Sequence, residues 1–476
     1  MGKLKKLLNS PWAVAIITGL IVAIIGGLAL YYFEVYRENQ KIIRRAEVLL
    51  QEANELLVQK HLVEALQTYQ SIEGLIDHKE HNQIFGQVKN GSGICYRRLA
   101  EIEKKEINCQ RAIHCFNLAV NAFAPKKHPL DFAITQNNLG AAYQTLAQVK
   151  EKEKNCTRAI KAYQQALRYL TSITYPLDYA MTQNNLGNAY RTLAEVKEKE
   201  KNCTLAIEAF KQALRYRMPE AYPIEYATTQ NNLGNAYQTL ANIKVRTIDL
   251  KNLMQALKSE IIKIHPAGYT INQNNLDATD QTLTEAEEKE KNCTLAIEAY
   301  QQALKYSTPE LFPLDYAMTQ NNLGAVYQTL AEIKEKEKNC ILAIESFKQA
   351  LKYRNPETHP LDYAMTQNNL GNAYRTLAEV KEKEKNCTLA IEAFQLAHKY
   401  RDPEKYPLDY AMTQNNLGNT YCTLAKIKDK KMNGSLAIEA YNNALSIFKQ
   451  GEYPDQYEMV SHNRKKAKQM LAEARK

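Results

Sequence analysis

Tyr175-Pro176-Leu177-Asp178-Tyr179-Ala180-Met181-Thr182-Gln183-Asn184-Asn185-Leu186-Gly187-Asn188-Ala189-Tyr190 is the stretch on which the reading of this chain turns. Its central phrase, Gln-Asn-Asn-Leu, recurs seven times, with the glutamines at 136, 183, 230, 273, 320, 367 and 414. The step is 47 residues except for one of 43. A fixed period in the range of roughly 20–50 residues marks a repeat array, whose units are too small to bury their own apolar faces and must stack. Stacking leaves a long surface open to a partner.

The spacing within the quoted stretch predicts a helix, here helix A. Pro176 suits its first position, where the missing N–H is not needed, and Asp178 complements the positive end of the helix dipole. Tyr179, Leu186, Gly187, Tyr190, Leu193 and Ala194 share one face. Gly187 costs about 1 kcal/mol in a helix against Ala, so it is expected to admit a second helix at close range. The run Glu195-Val-Lys-Glu-Lys-Glu-Lys201 reads as a solvated extension of helix A, with Glu195 and Lys199 one turn apart. Asn202 then reads as the N-cap of helix B, whose Cys203, Ala206, Ile207, Phe210, Ala213 and Leu214 form the second stripe before Pro219 ends it.

Leu186, Gly187, Tyr190, Ala206, Phe210, Ala213 and Pro219 follow the order of the tetratricopeptide repeat, which this unit resembles. The unit departs from that family in its longer Gly187-to-Ala206 interval and in Gln183, which stands where the family carries an aromatic. The Asn-Asn-Leu opening is most similar to the long-period repeats of kinesin light chains and their prokaryotic relatives. The resemblance implies an all-α fold, an α-solenoid of stacked antiparallel helix pairs in a tetratricopeptide-like superhelix, and a protein-binding role.

The expected organisation is a short basic segment (1–11), a transmembrane helix (12–33), a juxtamembrane helix with non-standard units (34–127), seven repeats of about 47 residues (128–450) and a C-terminal capping helix (451–476). Prolines 129, 176, 223, 266, 313, 360 and 407 would open the seven A helices. One unit is irregular: four residues are missing within 247–280, and Asp277 and Asp280 replace the Gly and Tyr of helix A. It reads as a decayed repeat or a hinge.

Helical projection turns one line of carboxamides away from the stack. It comprises Asn138, Asn185, Asn232, Asn275, Asn322, Asn369 and Asn416, flanked by Asn188, Asn235, Asn372 and Asn419 and by Arg191 and Arg375. A carboxamide both donates and accepts, so a row of them can pair with the peptide bonds of an extended chain. The row is similar to the asparagine ladder of O-GlcNAc transferase and to the groove asparagines of kinesin light chains. Two other readings stay open: the amides bond neighbouring repeats and fix the stacking, or duplication has simply copied them.

From Trp12 to Phe33 no residue is charged, and 22 residues at ~1.5 Å each span the ~30 Å hydrocarbon layer. Trp12, Tyr31, Tyr32 and Tyr36 mark its ends. A cleaved signal peptide is the competing reading, with a shorter apolar stretch and a small-x-small site. Positive residues flank both sides of the span, so orientation rests on the nine cysteines. Six sit in Asn-Cys pairs at one repeat position, roughly 10 Å apart in a stack, beyond the ~7 Å reach of a disulfide. Unpaired thiols suit a reducing interior, hence a single-pass membrane protein with a cytoplasmic array.

The net charge of +10 is spread over interleaved Lys and Glu, so no nucleic-acid role is expected. No phosphate loop, Cys-x-x-Cys, His-Glu-x-x-His or Gly-x-Ser-x-Gly occurs, and His61, His78 and His81 match no metal spacing. The chain therefore reads as a scaffold without catalysis, cofactor or metal, binding a protein or peptide partner on its Asn-lined face. The alternative is a structural spacer, or an array that associates with itself through the Lys/Glu tips.

Overall fold

The computed structural model describes residues 11–264 and 274–473, arranged as seventeen helices with no strand among the described residues. The chain divides into two compact units, one up to Tyr175 and one from Pro176.

The first unit contains α1 (Pro11–Val58), α2 (Leu62–Leu75), α3 (Asn82–Ile102), α4 (Lys105–Ala122), α5 (Pro129–Leu146) and α6 (Lys152–Ala166). Its first helix is one continuous rod of two characters. The N-terminal part carries an 18-residue stretch of mean hydropathy 1.8, none of it buried, and the helix is long and apolar enough to cross a membrane. The C-terminal half joins a core in which Ala46, Ala53 and Leu57 pack with Tyr69, Ile72 and Cys95. Tyr69 is fully buried and donates its hydroxyl to Asn54 Oδ1 at 2.6 Å.

The second unit contains α7 (Pro176–Ala194), α8 (Lys199–Leu214), α9 (Pro223–Ile264), α10 (Asn274–Tyr306), α11 (Pro313–Ala331), α12 (Lys336–Leu351), α13 (Pro360–Leu377), α14 (Lys383–Lys399), α15 (Pro407–Ala425), α16 (Lys430–Ile447) and α17 (Pro454–Glu473). Each regular pair is locked by a glycine of helix A against an aromatic of helix B. A Cβ added to Gly187, Gly324, Gly371 or Gly418 would stand 2.5–2.7 Å from the ring of Phe210, Phe347, Phe394 or Tyr441. These rings are almost fully buried, and alanines such as Ala206, Ala343 and Ala390 let the backbones approach. α17 closes the unit, burying Val460, Ala467 and Leu471.

The turn between A and B differs from expectation. Helix α7 stops at Ala194 and α8 starts at Lys199, so the Lys/Glu run is split across the turn and does not extend helix A. Asn202 is the fourth residue of α8 and does not cap it. Its Nδ2 donates to the carbonyl of Lys197 at 2.7 Å, closing the end of helix A, as Asn339 does to Lys334 and Asn386 to Lys381. These asparagines are 3–4% exposed. The residue before helix B is left-handed: Glu198, Glu335 and Glu382 have φ of 40°, 46° and 38°. A side chain there is strained by roughly 1–2 kcal/mol. Each Glu recovers little through its exposed pair with Lys201, Lys338 or Lys385. Glu335→Gly with Glu382→Gly is expected to stabilise the chain by about 1–3 kcal/mol in urea melts.

The irregular unit is not a stacked repeat. The helix opening expected at Pro266 lies outside the described residues, but α9 runs 42 residues and α10 runs 33, where the regular α7 and α8 have 19 and 16. The first part of α9 pairs with the last part of α10: a Cβ on Gly234 would meet the Tyr300 ring at 2.6 Å. The cause is complementary loss. Leu253 stands where helix B should bring its aromatic to Gly234, and Asp277 stands where helix A should offer a glycine to Tyr300. Each pair lost one partner, and the two survivors, Gly234 and Tyr300, lock together. Asn292 shows the consequence, since α10 has no turn carbonyl to offer it and its buried Nδ2 has no partner.

The Asn-Cys cysteines are buried and form no disulfide. Burial raises the Cys203, Cys293 and Cys340 thiols from 9.0 to about 11. An acid whose folded pKa is raised stabilises the fold below its unfolded pKa and loses that contribution as pH climbs through the folded one. Stability is therefore expected to fall between about pH 9 and pH 11, read as a falling urea midpoint. Below pH 9 a thiol reagent should react at these positions only on unfolding.

Candidate functional site: a carboxamide and arginine groove

Asn137, Asn184, Asn231, Asn321 and Asn415 are buried while the second asparagine of each of these phrases is half-buried, and first and second asparagines are bonded from unit to unit. Within the first unit Asn138 Nδ2 donates to Asn90 Oδ1 at 3.1 Å. In the second, Asn232 donates to Asn184 at 3.1 Å, Asn369 to Asn321 at 3.2 Å, Asn416 to Asn368 at 3.3 Å and Asn463 to Asn415 at 3.5 Å. Each of these bonds spans 48 residues. Asn322 instead reaches Asn231 and Asn235, 91 and 87 residues back, because the irregular unit is skipped in the stack. Asn185 is half-buried on the same line. Asn275 lies among residues whose side chains are not described. The line thus stays half-buried while its amide hydrogens serve the stacking.

The flanking position divides into two kinds, and the aromatic of helix B decides which. Where that aromatic is tyrosine, its hydroxyl takes the flanking amide: Tyr300 donates to Asn235 Oδ1 at 2.7 Å and to Gln238 Oε1 at 3.1 Å, and Tyr441 donates to Asn419 Oδ1 at 2.8 Å. Where it is Phe210 or Phe394, no hydroxyl exists. Asn188 and Asn372 are then half-buried with no side-chain partner given among the described residues, and Arg191 and Arg375 follow one turn later. The Nε of both arginines is buried without an acceptor. The Phe347 unit belongs to neither kind, since Ala325 stands at its flanking position and Gln328 one turn later.

Two cavities open along these side chains. One of about 560 Å³ is bordered by Arg191, Asn235, Asn242, Asn322 and Asp362. The other, about 700 Å³, is bordered by Arg375 and Asn419 together with Lys426, Lys430 and Lys466, against the single carboxylate of Glu473. The second end is therefore strongly cationic. In the first unit a cavity of about 1060 Å³ lies beside α1, bordered by Glu47, Gln51, His81 and Lys127. His81 Nε2 is engaged with Asn39 Oδ1 at 2.8 Å, and His78 stacks on Phe85 at 4.3 Å, so both histidines have structural partners. Among the described residues no group of three or more His, Cys, Asp or Glu is placed to hold a metal.

No protein-family model matches the chain, and no curated protein matches it. Among solved structures it is similar to the C-terminal part of a TPR repeat-containing protein from Cytophaga hutchinsonii, at 13% identity and TM-score 0.41, covering 74% of this chain and 95% of that one. It is similar to the apo form of RapI, at 13% identity and TM-score 0.46, covering 90% and 98%. A Rap protein complexed with competence and sporulation factor aligns at 14% identity and TM-score 0.38, covering 90% and 99%. The tetratricopeptide-like fold rests on the chain's own helix pairs, in which a Leu-Gly helix meets the aromatic of its partner in unit after unit.

Proposed function

We propose that the chain is a membrane-anchored, non-catalytic scaffold that captures a protein partner as an extended segment along the groove of the second unit. The observation that carries this reading is the contrast between unit types. The Tyr300 and Tyr441 units bond their flanking amide internally, whereas the Phe210 and Phe394 units leave Asn188 close in sequence to Arg191 and Asn372 to Arg375, and both arginines border the cavities. Carboxamides suit peptide bonds, and arginine suits carboxylates. The cationic end around Arg375, Lys426 and Lys466 favours an acidic partner segment. Asn185, Asn232, Asn322, Asn369 and Asn416 would form the groove's floor. The exposed apolar stretch of α1 supports the anchor, and thiols buried without disulfides support a cytoplasmic array. Self-association through the tips is less favoured, because Lys334, Lys381 and Lys428 pair within the chain with Glu290, Glu337 and Glu384.

The test is capture of the cellular partner by the full-length protein. Replacing Asn188, Arg191, Asn372 and Arg375 together with alanine is expected to lower capture at least tenfold, from several bonds of about 0.5–1.5 kcal/mol each. The melting temperature should hold. Asn369→Ala should do the opposite, costing about 1–2 kcal/mol of stability by orphaning Asn321. Undiminished capture by the fourfold variant would overturn the reading. Protease added outside intact cells should spare the array if it is cytoplasmic.

A further inference from the structure

One position at the end of helix B decides what fills the space beneath the next helix A. It is Arg217, Arg354 and Arg401 at three joints of the second unit, each 4–7% exposed. Their Nη1 donates to Thr229, Thr366 and Thr413 Oγ1 at 2.5–2.6 Å. The same atom donates to the carbonyls of Glu225, Asp362 and Asp409 at 3.0–3.1 Å. At the joint between α10 and α11 the position is Ser307, 90 residues after Arg217 and 47 before Arg354. Ser307 is 6% exposed, and its hydroxyl has no partner. The opposing wall keeps its threonine, with Thr319 Oγ1 on the carbonyl of Asp315 at 2.8 Å and 3.3 Å from Asn231 Oδ1. The short side chain leaves a cavity of about 70 Å³ bordered by Ser307, Thr319, Asn231, Asn232 and Asp315. That is several times the ~10–15 Å³ that one water requires. Asp315 and Met318 also border the 560 Å³ cavity of the groove, so the two adjoin.

We propose that this cavity is a binding site for the guanidinium group of an arginine side chain carried by the groove's partner. The proposal rests on the groove reading above and adds the chemistry of one residue of the bound segment. The chain itself demonstrates the recognition three times, since a threonine hydroxyl and a first-turn carbonyl hold a guanidinium at every neighbouring arginine joint. Here the acceptors are Thr319, Asp315 and the Ser307 hydroxyl. A guanidinium presents five donors in one plane and carries its charge without a compact, tightly held water shell. A lysine ammonium satisfies fewer of these acceptors and is harder to dehydrate.

The test uses the full-length protein and three probes: N-acetyl-arginine amide and its lysine and citrulline counterparts. The arginine probe is expected to give a saturable rise in melting temperature, with lysine at least tenfold weaker and citrulline silent. Ser307→Arg should place the chain's own guanidinium in the cavity, raise the melting temperature unaided and abolish the response. Ser307→Leu, which mirrors Leu170 in the first unit, should abolish it without donors. Arg354→Ser should add a second saturable site. No saturable arginine response, or one surviving both Ser307 variants, overturns the proposal. An arginine response that needs Ser307, in a protein whose partner capture ignores Asn188 and Arg191, keeps the cavity and removes the groove reading.

Discussion

Gly371→Asp is expected to destabilise the second unit by about 3–5 kcal/mol, the largest effect of any single change considered. A Cβ at 371 would stand 2.7 Å from the Phe394 ring, well inside the ~3.5 Å of carbon–carbon contact. The ring is fully buried against Ala373 and Ala390, so neither it nor the backbone can withdraw cheaply. The carboxylate would then enter the apolar seam between α13 and α14. Because a repeat array sums local unit and interface energies, loss should centre on α13 and α14 and spread to their neighbours. Hydrogen exchange should show those helices opening first, with α7 and α8 protected longer. The irregular unit is the natural form of this experiment: aspartate already occupies the glycine position at 277, and that stretch does not stack as a unit. Gly371→Ala should cost about 1–3 kcal/mol, and Phe394→Leu in the same chain should recover part of it. If the double variant is no better than the sum of its parts, the glycine–ring contact is not the cause.

Arg354→Ala is the second large effect, at about 2–4 kcal/mol. Burial pulls the guanidinium's pKa down, and the Asp362 charge works against that pull, so the group stays ionised at neutral pH. Removing it cuts the bonds to Thr366 and to the Asp362 carbonyl and leaves a cavity at the joint between α12 and α13. Thr366 keeps its own bond to the Asp362 carbonyl at 2.8 Å, which limits the loss. The check is a urea melt, in which Arg354→Lys should recover little, because its stem ends one bond short of the Nη1 position that reaches both acceptors and an ammonium is harder to dehydrate. Arg401 should behave alike, having the same partners one unit later.

The residues show where sequence reasoning stopped. Pro176, Leu186, Gly187, Phe210 and Pro219 predict a helix pair, its close contact and its end, because each acts through local backbone rules or through a face that periodicity fixes. The turn was misplaced for an equally local reason: a Glu in left-handed conformation breaks helix A, and no glycine flags it. Asn202 looked like an N-cap, yet it closes the helix before it.

By itself, the 47-residue recurrence determined that this is an all-helical stack of hairpins, and the apolar run from Trp12 determined that one helix begins outside any core. Only the tertiary structure decided which amides are consumed in stacking and which pair with a tyrosine hydroxyl. It also decided that Gly234 takes its aromatic from Tyr300, 66 residues away, and that Ser307 borders a cavity. The physical reason is range. Helical period places a side chain on a face, but its partner is set by the offset of helices a full repeat or more apart, and that offset is a property of packing.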